Sequence, residues 1–219
     1  DYCVAYVQVD DNMGLCSEAE GAGVVSGTIR TDNNVSVEGV EVRLSGYRDM
    51  AAMTLYDGAY QFTNLETGYD YSITPVHDHH PRNGVSTADL IMIGEHILGS
   101  RPFRSPYQYL AADVNNDQAV TTIDMVQLRA LILGITSRFP GQPSWQFVDG
   151  DFRFDPQRRP LQQDIPRVRN INNLAGEMEV RFTAVKTGDL NGTANVADTR
   201  SASTPLELLV DEQYLQAGR

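Results

Sequence analysis

Residues Asp113-Val114-Asn115-Asn116-Asp117-Gln118-Ala119-Val120-Thr121-Thr122-Ile123-Asp124 lead directly into Met125-Val126-Gln127-Leu128-Arg129-Ala130-Leu131-Ile132-Leu133-Gly134. The first twelve carry oxygen-bearing side chains at positions 1, 3, 5, 9 and 12, with Ala119 at position 7, where a backbone carbonyl suffices. Calcium takes six to eight hard oxygens at about 2.3–2.6 Å, and alternate residues of a tight loop point inward to supply them. The spacing therefore predicts a calcium loop built from Asp113, Asn115, Asp117, Ala119, Thr121 and Asp124. A plainer reading takes Thr121-x-x-Asp124 as a helix capping box. It explains positions 9 and 12 only. Asp113, Asn115 and Asp117 stay unexplained, and three carboxylates in so short a stretch repel one another without a cation.

The stretch is half of a repeat. Val85-Ser-Thr-Ala-Asp-Leu-Ile-Met-Ile-Gly-Glu-His-Ile-Leu-Gly99 aligns with Val120–Gly134 at an offset of 35 residues (120 less 85), with Val, Thr, Asp, Ile, Leu and Gly identical at matched positions. Such self-similarity marks a duplicated supersecondary unit. Leu90, Ile93 and Ile97, and Met125, Leu128 and Ile132, recur on one helical face. Gly99 and Gly134 sit where a C′ glycine ends a helix. Two amphipathic helices with matched apolar stripes are expected to pack on each other.

The loop ahead of the first helix is degraded. The same offset puts Asp78, His80, Arg82, Gly84, Ser86 and Asp89 at positions 1, 3, 5, 7, 9 and 12. Arginine cannot ligate calcium and histidine is a poor ligand for it. Gly188-Asp189-Leu190-Asn191-Gly192-Thr193 reads as the opening of another loop without its helix. One expectation is that Asp189 and Asn191 fold back to complete a second calcium site with Asp78, Gly84, Ser86 and Asp89. The other is a plain surface turn. His77, His79 and His80 are read as a solvated turn rather than a zinc site.

Upstream, the pattern is β. Val24–Ile29 reads as a strand, Asp32-Asn33-Asn34 and Tyr56-Asp57-Gly58 as turns, and Val40, Val42 and Leu44 share one sheet face at period two. Tyr60–Phe62 and Tyr71–Thr74 are further short strands, a spacing that indicates a small sandwich. Downstream, Trp145–Val148 and Met178–Phe182 read as strands whose aromatics are expected to cover the helix pair.

Two resemblances follow from these residues. Gly27-Thr28-Ile29, Val40–Leu44, Asp57–Phe62 and Leu65-x-x-Gly68-x-x-Tyr71 resemble the carboxypeptidase-regulatory-like or Cna-B-type sandwich over about fifty residues. Many such modules carry a Lys–Asn isopeptide bond; residues 24–76 contain no lysine. The duplicated loop and helix resemble a type I dockerin. Gln118 and Asp124 stand where an EF-hand has Gly and Glu, and dockerins also use Asp at position 12. The combination is similar to modules of large Bacteroidota-type cell-surface proteins. It implies a mainly β fold, an Ig-like or prealbumin-like sandwich, with a small α insertion. The implied division is residues 1–22 as the last strand of an upstream module and a linker, 23–76 as the sandwich, 77–193 as the dockerin-like module with a strand-rich extension, and 194–219 as a linker and the first strand of a downstream, cohesin-like module.

Composition limits the functions available. The 219 residues carry a net charge of −12, with Lys186 the only lysine. No basic stripe for nucleic acid is present, and no apolar run approaches the ~20 residues of a membrane helix. No signal peptide is visible, and the chain opens at Asp1 within an apparent strand, as a mature product or a fragment would. Cys3 and Cys16 do not fit a zinc site; they pair with each other, pair with a cysteine of an upstream module, or stay free. No nucleophile–base pair or phosphate loop is found, so no enzyme activity is expected. The expected role is a calcium-stabilised, secreted or cell-surface structural module, such as a stalk, adhesin or fibre subunit. Its partners would be other modules of the same protein or neighbouring copies joined by strand addition. The alternatives are a dockerin that docks a cohesin-like domain, or an accessory domain of a secreted hydrolase.

Overall fold

The structure is a computed structural model and describes residues 22–197. Cys3 and Cys16, and the strands expected at residues 2–9 and 205–211, lie outside the described residues. In chain order the elements are β1 (Ala22–Thr31), β2 (Glu41–Gly46), β3 (Met50–Met53), β4 (Ala59–Glu66), β5 (Tyr71–Val76), α1 (Thr87–Ile97), α2 (Pro106–Ala112), α3 (Thr122–Ile132), β6 (Trp145–Asp149), β7 (Arg169–Ile171), β8 (Glu177–Glu179) and β9 (Phe182–Lys186). Strands predominate, in two sheets, with three helices between β5 and β6.

One sheet runs β4-β1-β9-β6, with β8 also on β1; the other runs β3-β2-β5-β7. The period-two reading of β2 holds: Val40, Val42 and Leu44 are buried together with Phe62, Tyr71 and Ile73 in the core between the sheets. The sandwich does not close within residues 23–76. β9 pairs with β1 in parallel, Ile29 opposite Phe182, and β7 pairs with β5, Tyr71 opposite Ile171. Strands after the helices thus complete both sheets. The single strand expected at residues 178–182 is broken in two. β8 lies beside Val24–Ser26 and β9 beside Ile29–Thr31, and the chain bulges between them opposite Gly27. A Cβ on Gly27 would lie 1.7 Å from the Val180 carbonyl oxygen, so only glycine permits this approach.

β6 and β9 are buried on both faces. Trp145, Phe147, Phe182 and Ala184 enter the sandwich core. Val148 and Val185 point the other way, into a second core with Ile93, Leu110, Leu128 and Leu131. This corrects the expected placing of the aromatics: they fill the sandwich, and the valines meet the helices. Gln146 lies between the two cores. It donates to the Leu110 carbonyl at 3.0 Å and to Thr187 Oγ1 at 3.1 Å, and accepts from Arg167. α1 packs on α3. Each ends at a glycine with positive φ, +70° at Gly99 and +73° at Gly134. Arg82 packs against Gly134, where a cation complements the C-terminal end of the helix dipole. No helix among the described residues is long and apolar enough to cross a membrane.

Two glycines should respond oppositely to alanine. Gly27→Ala should cost at least about 2 kcal/mol, because backbone must move on both strands. Gly94, inside α1, has only Met125 Cε at 3.5 Å from a built Cβ. Gly94→Ala should add about 0.5–1 kcal/mol of helix propensity. Thermal melts would show the two shifts in opposite directions; a neutral Gly27→Ala would contradict the β1–Val180 approach.

Candidate metal centre

α2 and α3 flank the loop at Asp113–Asp124. α2 begins with a capping box, Ser105 with Gln108, and Pro106 at its first position. It ends at Asp113, from which the loop departs. Asp113 Oδ1 accepts from the Asp117 amide at 3.1 Å, and Oδ2 from the Gln118 amide at 3.0 Å. Asn116 and Gln118 take φ of +60° and +66°, at a cost of about 1 kcal/mol for a residue with a Cβ. Asp124 closes the loop. Its Oδ1 accepts from the Val114 amide at 3.1 Å and its Oδ2 from the Thr121 amide at 2.8 Å. Thr121 also caps α3. Gln142 braces the loop from outside, donating to Asn116 Oδ1 at 3.1 Å.

A second loop repeats this geometry from two separate pieces of chain. Asp189 takes the part of Asp113: Oδ1 accepts from Gly192 and Thr193 amides, and Oδ2 from the Ala194 amide at 2.7 Å. Asp89 takes the part of Asp124. Its Oδ1 accepts from the Leu190 amide at 2.8 Å, and its Oδ2 from the Ser86 amide at 2.9 Å. Thr193 Oγ1 donates to the Gly84 carbonyl at 3.1 Å, and Asn83 and Asn195 exchange two hydrogen bonds. A Cβ on Gly84 would meet Asp189 Oδ2 at 2.7 Å. Residues 189–193 thus occupy positions 1–5 and residues 84–89 positions 7–12. Asn191 falls at position 3 of this spliced loop. Asp78 does not take part: its carboxylate is exposed and accepts from the Ser144 amide at 2.7 Å. Position 1 belongs to Asp189 instead, because β9 brings residues 189–193 beside α1.

The electrostatics of the two loops are alike. Asp89 and Asp124 are fully buried, Asp113 and Asp189 nearly so. Burial, opposed by the amide hydrogen bonds, raises the pKa of Asp113 and of Asp124; the Asp117 charge raises both further. Burial likewise raises Asp189, with Asp89 adding to it. Among the described residues, none of Asp89, Asp113, Asp117, Asp124 or Asp189 is in an ion pair. Lys186, at the end of β9, feels the charge of the spliced loop. Burial lowers its pKa to about 8 against the pull of Asp189, Asp78 and Asp89, and it donates to the Pro81 and Thr187 carbonyls. Among the described residues no three His, Cys, Asp or Glu side chains form a group able to hold a metal. In the first loop Asn115 Nδ2 instead donates to Asp117 Oδ2 at 2.8 Å. An ion there would also need the Asn115 amide oxygen, the Thr121 hydroxyl and the Ala119 carbonyl. Asp149 is buried against Arg169 at 2.7 Å.

No protein-family model and no curated protein matches the chain. Several solved structures are similar to it over part of its length, two of them as follows. The Bacillus anthracis TIE protein is 19% identical over 26% of this chain and 11% of its own, with a TM-score of 0.25. BcpA, the major pilin subunit of Bacillus cereus, is 18% identical over 26% of this chain and 19% of its own, with a TM-score of 0.24. The chain thus spans less than a fifth of either, and the likeness is confined to about a quarter of its own length.

The raised carboxyls have a pH signature. Folded Asp113 and Asp124 hold protons more tightly than the unfolded chain does. In calcium-free protein they add stability below about pH 4 and withdraw it as pH rises through their folded values. Urea midpoints in EDTA between about pH 4 and about pH 7 should fall for wild type relative to Asp124→Asn, which lacks the titrating group. A difference flat across that range would contradict the burial of Asp124.

Proposed function

We propose that this chain is a calcium-stabilised structural and interaction module of a secreted or cell-surface protein, with no catalytic role. The observation that carries the reading is the pair of matched loops, each built on two buried carboxylates that no cation among the described residues pairs with. Amide hydrogen bonds offset only part of the cost of burying an ionised carboxylate, since burial still raises the pKa of Asp113, Asp124 and Asp189. All the side chains and carbonyls available at both loops are hard oxygen donors, the set calcium prefers. In the first loop, Asp113, Asp117 and Asp124 contribute a charge of −3, which one calcium ion reduces to −1. Asp117 would leave its hydrogen bond with Asn115 to reach the ion. In the spliced loop the donors would be Asp189, Asn191, Gly84, Ser86 and Asp89, with Thr193 at position 5. Calcium at the spliced loop would tie α1 to the end of β9 and so fix the helical layer on the sandwich.

Folding and binding would then be linked. At calcium a thousandfold above its dissociation constant, one site adds about 4 kcal/mol. Calorimetric titration should find two ions, with Asp113→Ala and Asp189→Ala each losing one. A thermal melt unchanged by EDTA would overturn the proposal.

A second reading, docking of a cohesin-like domain, is favoured by the exposed face of the helix pair. The helices are not enclosed between sandwich and strands, as the sequence suggested. Ile91 and Val126 are 62% and 67% exposed, and Leu98 and Leu133 are 84% and 61% exposed. Each pair is related by the 35-residue offset, so the duplication repeats its apolar surface as well as its core. If this face docks, Leu98→Asp with Leu133→Asp should abolish capture by cohesin modules while leaving the melt unchanged. Failure of the wild-type protein to bind any cohesin module would remove this reading and leave the structural one standing.

A further inference from the structure

The junction between the sandwich and the helical layer forms a half-open cavity of about 400 Å³ that borders the spliced loop at Asp189–Gly192. This is within the range of small-ligand sites. Its walls come from the β1–β2 turn, α1 with the α1–α2 connection and α2, and β6 and β9 with the turn after β9. They are tied to one another. Ser105 Oγ donates to Asp32 Oδ2 at 3.3 Å, and Gln108 Nε2 donates to the Leu190 carbonyl at 3.3 Å. Gly192 lies so close to Asn33 that a Cβ would meet its Nδ2 at 2.8 Å. The pocket is therefore formed before any ligand arrives.

Its polar groups are balanced rather than of one sign. Glu95 lines the wall; its Oε2 is buried without a hydrogen bond, 3.7 Å from Arg101 Nη1, while the side chain as a whole is 37% exposed and can turn an oxygen to a ligand. Arg104 and Asn33 bring further donors. Phe103, half-buried and stacked on His96 at 3.9 Å, supplies apolar surface beside them. The lining also holds Asp32, Asp189, Arg101 and Lys186, so a charged ligand would meet opposing as well as favourable groups. A neutral polyhydroxyl ligand meets neither problem, because each hydroxyl donates to a carboxylate and accepts from a guanidinium or amide. Ring C–H faces suit the aromatic wall, and the volume takes about one or two sugar rings.

We propose that this cavity is a binding site for a neutral mono- or disaccharide, with Glu95 as the acceptor for its hydroxyls and Arg104 and Asn33 as donors. Asp189 and Asn191, donors proposed for the spliced loop, also line this cavity, so the titration is made with calcium present.

The test is titration of the full 219-residue chain, in calcium, with glucose, galactose, mannose, N-acetylglucosamine, cellobiose and lactose, followed by calorimetry or ligand-observed NMR. At least one sugar should bind saturably, with a dissociation constant on the order of 1 mM. Glu95→Ala and Arg104→Ala should each weaken it by about tenfold or more, while Arg48→Ala, on the β2–β3 turn, should leave it unchanged. All three side chains are partly or largely exposed, so melts should show folded protein throughout. Absence of saturable binding by all six sugars would overturn the proposal, as would affinity unaltered in both Glu95→Ala and Arg104→Ala.

Discussion

The helical layer depends on one carboxylate at the third position of each outer helix. Asp89 and Asp124 each do two things at once. One oxygen caps the helix by accepting from the residue three before, and the other accepts from the amide that follows the opening aspartate of a loop. A capping box alone is a local device worth about 1 kcal/mol. Here the second oxygen makes it a clamp. For Asp124 the clamped amide is ten residues away; for Asp89 it is 101 residues away, just beyond β9. The same two-oxygen geometry thus closes a hairpin in one place and fastens a helix to a distant strand in the other.

That strand is also where the two cores meet. β6 and β9 carry aromatics toward the sandwich and valines toward the helices, so the pair is buried on both faces. A polar side chain inside such a wall must be fully satisfied, and Gln146 is, with bonds on its amide nitrogen and its oxygen. The parallel pairing of β9 on β1 requires a long crossover. The chain between them holds β2 to β8, and within it the helical layer joins β5 to β6.

Local signals carried much of this. The period-two run at Val40–Leu44, the turns at Asp32–Asn34 and Tyr56–Gly58, the helices and their terminal glycines were legible because each depends on neighbours within a few residues. α2 was missed although Ser105-Pro106-x-Gln108 is a start signal; the helix is only seven residues long and lacks an amphipathic stripe of its own. The break at Val180 and the role of Gly27 were not legible. A glycine opposite a bulge has meaning only once the partner strand is known, and that partner is about 150 residues away. In the candidate site, Asp113–Asp124 could be placed because its twelve positions are contiguous. Asp78 was assigned by continuing the same register backward, and the chain does not follow it. The fragment at Asp189 read as a loop opening, but sequence alone could not say what it would meet.

The splice sets different conditions for the two loops. Closing a segment of about 100 residues costs only about 2 kcal/mol more than closing one of about 10, because the entropy grows with the logarithm of length. The folded protein has met that cost already through the β1–β9 and β5–β7 pairings. Once the sandwich is complete, both loops are equally preformed, as their matching hydrogen bonds show. In a chain whose sandwich has opened, Asp113–Asp124 can still close between α2 and α3, whereas Asp189 has left Asp89. A ligand on the first loop therefore stabilises the α2–α3 hairpin alone. A ligand on the spliced loop stabilises the whole fold, because its two halves exist together only when the sandwich and the helices do.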